Sequence, residues 1–322
     1  MSVTPESAPL SEAVGSVDVT PPGGPGGVER EFTIEAASQS RLVLRRLRSD
    51  RLAMASLVIF LLLVFAAFVG QHLWKYDYLY QDADPSVGPS ASHPFGTNET
   101  GKDVLALVLR GSQRSLEIAL FVAVVSTVVG SFYGAISGFY AGRVDNIMMR
   151  FVDLILTVPT IAVAAVLSHN FQGTSIGDSW VSVAVVLSAL GWAGVSRLVR
   201  GVVLSLREKE FVEAAKALGA SDWRIITRHL LPNCLGPIIV FGTIAVAGAI
   251  LAETALSFIG FGVHPPDTSL GLLVSDAQTA ANTRPWLFYF PGGFIIIIAL
   301  TVNFLGDALR DAFDPQQTRI RA

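Results

Sequence analysis

Residues 52–70 carry no charge, and at about 1.5 Å of helical rise per residue they reach across roughly 30 Å of hydrocarbon. Comparable apolar runs follow at 118–142, 154–169, 180–196, 230–252 and 286–306. In lipid every backbone polar group must be satisfied internally, so such runs are helices or strands of a closed barrel. Alternating strands of about ten residues do not occur, which excludes the barrel. The expected fold class is therefore an all-α membrane protein with six transmembrane helices. Composition agrees: 51% of residues are hydrophobic and only 15% are charged. Pro159, Pro237, Pro291, Gly292 and Gly293 lie inside the runs, where they suit kinks and close helix packing. The third run is opened by the amphipathic stretch VDNIMMRFVD, and the fifth continues past Glu253 to Gly262.

Residues 1–40 are rich in Pro, Gly, Ser and Thr and read as a disordered cytoplasmic tail. They lack the apolar block of a signal peptide. Residues 41–322 form the transmembrane domain. Arg41, Arg45, Arg46, Arg48 and Arg51 precede the first run and mark its cytoplasmic side. With that end inside, the outer segments hold only Lys75, Lys102, Arg110, Arg114 and Arg284 of the chain's 23 basic residues. Both termini and the polar insert at 206–232 then face the cytoplasm. The outer segment 71–116 is long. Thr100, with Asp103 three residues on, resembles a helix start, and Val104, Leu105, Val108 and Leu109 give the apolar face of an amphipathic helix on the outer membrane surface. Such a helix serves equally as a lid on the bundle or as a contact for a protein outside.

A single cysteine, Cys234, rules out an intrachain disulfide and any multi-cysteine metal site. The five histidines lack ligand spacing, and no GxxxxGK[ST] motif is present, so any ATP chemistry belongs to another chain.

The insert carries the most information. Residues 207–218 read as a helix, with Phe211, Ala215 and Leu218 on one face and Glu208, Lys209, Glu213 and Lys216 on the flanks. Gly219 is placed to stop it in the left-handed conformation. Ser221 caps a second short helix with Asp222 in its first turn, and Pro232 ends the unit. Three readings compete: a solvated loop, a DNA-binding helix–turn–helix, and a docking helix for a cytoplasmic partner. Apolar runs begin within a few residues on either side, pinning the unit at the lipid surface where it could hardly lie along a duplex. Nucleic acid is therefore not an expected partner.

The pattern Glu213-Ala214-Ala215, three residues, Gly219, nine residues, then His229-Leu230-Leu231-Pro232 resembles the EAA loop of bacterial ABC-importer permeases. The general family commonly has isoleucine where His229 stands. The HxLPN form (His229, Leu231, Pro232, Asn233) is similar to the peptide and nickel branch. HPFGTNETGKDVLALVLRGSQRSL, FIGFGVHPPD and NFLGDALRDAFDP add to the likeness. One departure is Leu270 before Gly271, where a tryptophan often stands. The resemblance covers nearly everything after residue 41 and implies a type I ABC-importer permease fold with a cytoplasmic coupling helix, closest to the C-type subunit of oligopeptide and dipeptide importers. It implies as partners a second related permease, two ATPase subunits carrying ATP and Mg, and an extracytoplasmic substrate-binding protein. The implied location is the bacterial inner membrane. Phe211, Glu213, Ala214, Ala215, Leu218, Gly219, His229, Leu231 and Pro232 would couple the ATPase to the spans. No cofactor and no catalytic residue are expected in this chain.

Ionisable groups inside lipid cost at least a few kcal/mol, so each needs a reason. Glu253 reads either as a carboxylate facing the translocation path or as a group capping and pairing locally near the outer interface. Nickel complexes and other small solutes are compatible cargoes. An ion-coupled transporter would need charged relays deep in the spans or an internal repeat, and neither is present.

Overall fold

The computed structural model describes residues 39–81, 83–171 and 179–313. These all lie in one compact unit, and among them every named element is helical. The tail expected at residues 1–38 lies outside the described residues.

The first helix, α1 (Gln39–Ser49), ends at Asp50, whose extended backbone turns the chain. The Asp50 carboxylate accepts from the amides of Leu52 and Ala53 and so caps α2 (Arg51–Leu73). Next comes α3 (Val104–Tyr140), then α4 (Gly142–Thr157) and α5 (Thr160–Phe171). The helix α6 (Trp180–Leu206) leads into the short α7 (Glu210–Ala217) and α8 (Asp222–Ile225). The chain continues through α9 (Leu235–Phe258), α10 (Leu270–Asp276) and α11 (Pro285–Phe313).

Five of these helices are long and apolar enough to cross a membrane, and α4 with α5, bent by 83° at their break, makes six if the pair counts as one span. Its break has a local cause. Val158 precedes Pro159, and the proline ring pushes its neighbour out of the helical region; Val158 is extended, at φ −82° and ψ 136°.

Two expectations are corrected. The amphipathic helix foreseen in 71–116 is no separate surface element but the first turns of α3, which runs unbroken for 37 residues. Its cap is Asp103, whose Oδ1 accepts from the Ala106 amide at 2.8 Å, not Thr100. Val104 and Val108 are buried because this part of α3 is covered by α10 and by α2 rather than left on a surface.

The most extensive helix pair is α3 with α6. Its basis is a stripe of glycines one turn apart. A methyl group on Gly130 would lie 2.6 Å from the Trp192 carbonyl oxygen, and one on Gly138 would lie 2.9 Å from that of Arg200. Gly134, between them, meets the Ser196 carbonyl more closely still. Helices in lipid gain little from the hydrophobic effect, and close backbone approach is what holds them.

One end of the bundle is covered by residues 74–103 and 259–285. Asp103 ties the first segment to α3, accepting from Trp74 Nε1 at 3.0 Å and pairing with His93 Nδ1 at 2.7 Å. Asp267 ties the second to α3 through Arg110 at 2.9 Å and Arg114 at 2.5 Å. Arg284 joins the two segments through Glu99 and Ser86.

Candidate docking site

The α7–α8 unit sits at the opposite end of the bundle, on the last turns of α3 and α6. Val212 and Ala215, one turn apart on α7, are buried with Ala135 and Phe139 of α3, Val199 and Val203 of α6, and Ile225 beyond the turn. Full burial of a valine stabilises by about 1.5–3 kcal/mol, so Val212 alone holds α7 firmly in place. Lys216 Nζ lies 5.4 Å from the Phe139 ring centroid, and Arg207 donates to the Phe139 carbonyl at 3.3 Å.

The turn after α7 is a Schellman motif. The Ala220 amide donates to the Ala215 carbonyl at 3.0 Å and the Gly219 amide to that of Lys216 at 2.9 Å. Gly219 takes φ +78°, as the sequence predicts. Ser221 occupies the cap position of α8, but its hydroxyl makes no capping bond.

The face assignment of α7 needs correction. Ala215 points inward with Val212, whereas Phe211 and Leu218 point outward, at 38% and 88% exposure. The 3.6-residue period does not distinguish a face that packs on its own bundle from one that awaits something else. Trp223, at 59% exposure, adds a third apolar side chain and stacks on Phe132 at 6.0 Å. Glu213 and Ala214 are exposed as well. The displayed surface of this small helix is thus apolar with an acidic and basic flank.

Pro232 does not end the unit. A π-helical stretch, Ile226–Leu230, precedes it, and Leu231–Asn233 continue as helix before α9. Proline is tolerated at the start of a helical turn, where its missing N–H would lack an acceptor anyway. His229 and Leu231 are half-buried and Pro232 is exposed, so this half of the motif frames the unit where it returns to the bundle.

Glu253 does not face an opening in this conformation. It has no exposed surface. Ser257 donates to its Oε1 at 2.7 Å and Ser115 to its Oε2 at 3.1 Å. Ser115 also accepts from the Leu270 amide at 3.1 Å, so the carboxylate ties α9 to α3 and to the start of α10. Gly271 permits this approach: a methyl there would lie 2.7 Å from the Thr254 Cα.

Two features escape a reading of the sequence by apolar runs. The glycine stripe was visible as GSFYGAISG, a small-xxx-small pattern. Asp145 of α4 pairs with Arg200 of α6 through both carboxylate oxygens at 2.5 Å and accepts from Ser137 at 2.5 Å. Those partners are 55 and eight residues away in sequence, so no local spacing announces them. Among the described residues no cluster of side chains could hold a metal ion.

Membrane-length helices, with polar segments covering one end and a short anchored helix with outward apolar side chains at the other, define a multi-span membrane protein. The comparisons give the class a family. The profile of the binding-protein-dependent transport system inner membrane component matches residues 130–319, and that of the N-terminal transmembrane domain of oligopeptide transport permease C matches 38–89. The oligopeptide transport system permease protein OppC of Mycobacterium bovis is 41% identical over 288 residues, covering 89% of this chain and 98% of that protein. The dipeptide transport system permease protein DppC of Bacillus subtilis is 38% identical over 277 residues, 85% of each. Among solved structures, an inward-facing form of the MetNI methionine ABC transporter aligns with TM-score 0.54 at 19% identity, covering 65% of this chain and 96% of that one. This protein belongs to the family of inner membrane components of binding-protein-dependent transport systems; it is an ABC-importer permease subunit.

Proposed function

We propose that this chain is the C-type permease subunit of an ATP-driven peptide importer in the bacterial inner membrane, with both termini and the α7–α8 unit in the cytoplasm. Its partners are a second related permease, two ATPase subunits that bind ATP and Mg, and an extracytoplasmic substrate-binding protein. The chain itself supplies no catalytic group. The names of its relatives and the HxLPN motif support peptides as cargo.

The observation that carries the reading is the split of α7 into an anchored and a displayed face. Val212 and Ala215 fix the helix to α3 and α6, while Phe211 and Leu218 point away from the bundle. A groove on each ATPase subunit receives that displayed face. When ATP draws the two ATPase subunits together, α7 rides with them and the spans change from inward-open to outward-open; hydrolysis reverses the change. Glu253 in this account holds α9 and α10 against α3 and does not meet the solute.

Phe211→Glu combined with Leu218→Glu tests the proposal. Both side chains are exposed, so the variant keeps its melting temperature, loses co-purification with co-expressed ATPase subunits and loses uptake of labelled peptide. Undiminished capture of the ATPase by this variant would refute the docking assignment.

A further inference from the structure

The first helix has two faces, and only one is accounted for by the bundle. Val43, Arg46 and Leu47 are half-buried, at the spacing of one helical face, and α1 packs on the end of α11. Arg46 Nη1 donates to the Ala312 carbonyl at 3.0 Å, closing one of the last carbonyls of α11. The other face carries Arg45 and Arg48, both exposed, with Leu44 at 48% exposure beside them. Just past the Asp50 turn, Arg51 and Leu52 are exposed too. Among the described residues Arg45, Arg48 and Arg51 form no ion pair. Among the described residues, the acidic groups at the end of α1 and on the last turns of α11 are Asp50, Asp307 and Asp311. The first is engaged by the Leu52 and Ala53 amides, and the other two lie on α11 without pairing to these arginines.

We propose that this outward face of α1 docks on anionic phospholipid headgroups. The turn at Asp50 sets α1 immediately before a membrane-length helix, and the residues flanking such a helix meet the headgroup region. Arginines interleaved with exposed leucines match that boundary: the apolar stems and leucines enter the acyl margin and the guanidinium groups meet phosphate. Bound lipid would hold α1 against α11 and so steady the end of that span through Arg46. The inference does not depend on which solute is carried or on ATPase docking.

The test uses the full chain purified and delipidated in detergent, titrated separately with phosphatidylglycerol and phosphatidylcholine, with bound lipid counted by native mass spectrometry. Phosphatidylglycerol binds at least about tenfold more tightly, and the preference shrinks as salt rises. The variant R45Q/R48Q/R51Q loses the preference while melting like the parent in phosphatidylcholine, and R45K/R48K/R51K retains it. The proposal is overturned if the glutamine variant keeps the preference, because the lipid then sits elsewhere. It is equally overturned if no preference exists and the three arginines are shielded only when ATPase subunits are bound, because the face then belongs to a protein.

Discussion

Gly130→Ala is the sharpest perturbation of the bundle, because its sign is opposite to what helix chemistry alone dictates. In an open position, replacing a helical glycine by alanine stabilises by about 1 kcal/mol through backbone entropy. Gly201 on α6 is such a position, with nothing within 4 Å of an added methyl. At Gly130 the same methyl lies 2.6 Å from the Trp192 carbonyl oxygen and 2.6 Å from the Val195 Cβ. Neither atom can swing away, since one is backbone and the other is fixed to it. The helices must part, and overpacking of this kind costs about 1–3 kcal/mol. The entropic gain is common to both variants, so their difference isolates the strain. At roughly 2–4 °C per kcal/mol, Gly130→Ala melts between about 2 and 12 °C below Gly201→Ala. Thermal unfolding of the three purified proteins in one detergent gives the comparison. Equal melting of the two variants, or a higher value for Gly130→Ala, would show that α3 and α6 do not touch along this stripe.

At Gly219 an added methyl meets nothing within 4 Å, so the penalty there comes from φ +78° alone, about 1–2 kcal/mol for a residue with a Cβ. Gly219→Val therefore lowers peptide uptake relative to ATP turnover, and Gly219→Asn, which tolerates that conformation, does so less. Asp145→Asn weakens the bidentate pair with Arg200 and costs about 1–3 kcal/mol. Adding Arg200→Ala to it costs less than Arg200→Ala alone, a coupling that melting of the single and double variants measures. Cys234 is buried in the cluster beneath α7, so a maleimide labels it only after unfolding. Labelling of the native protein at the same rate as of the denatured chain would mean that this cluster opens.

The spans were legible because lipid leaves a chain few choices. A long uncharged run has to be a helix, and each of the six runs is one, the third in two pieces. The Gly219 turn was legible for a similar reason, since positive φ selects glycine. What the runs did not reveal is where a helix begins inside a polar segment. The first turns of α3 hold Arg110, Gln113 and Arg114, which read as surface. The pairing of Arg114 with Glu117, three residues on, follows from their spacing, whereas Asp267, which pairs with both arginines, comes from a segment far along the chain. The inward face of α7 was misread for the same physical reason. Amphipathic spacing reports that a helix has two sides, and only the positions of α3 and α6 decide which of Val212 and Phe211 is covered. For Glu253 the carboxylate was legible and Ser257 lies one turn on in the same helix, but Ser115 was not legible as a partner, because it arrives from another helix.

The continuity of α3 changes what docking at α7 can do. With 37 residues it spans about 55 Å, and it touches both ends of the molecule. Phe139 lies under Lys216 of the docking unit, and Ser115, about 36 Å away along the same helix, holds the Glu253 carboxylate and the Leu270 amide. A separate surface helix at 104–116 would have left these ends free to move independently. As one unbroken helix in close backbone contact with α6, α3 links the two ends. On the proposed docking, a displacement of α7 that moves α3 either carries the Ser115–Glu253–α10 junction along or strains it. An intramolecular hydrogen bond contributes about 0.5–1.5 kcal/mol net. An equilibrium between two conformations shifts only by the difference in what each one binds. On the proposed docking at α7, the junction is of the right size to be that difference.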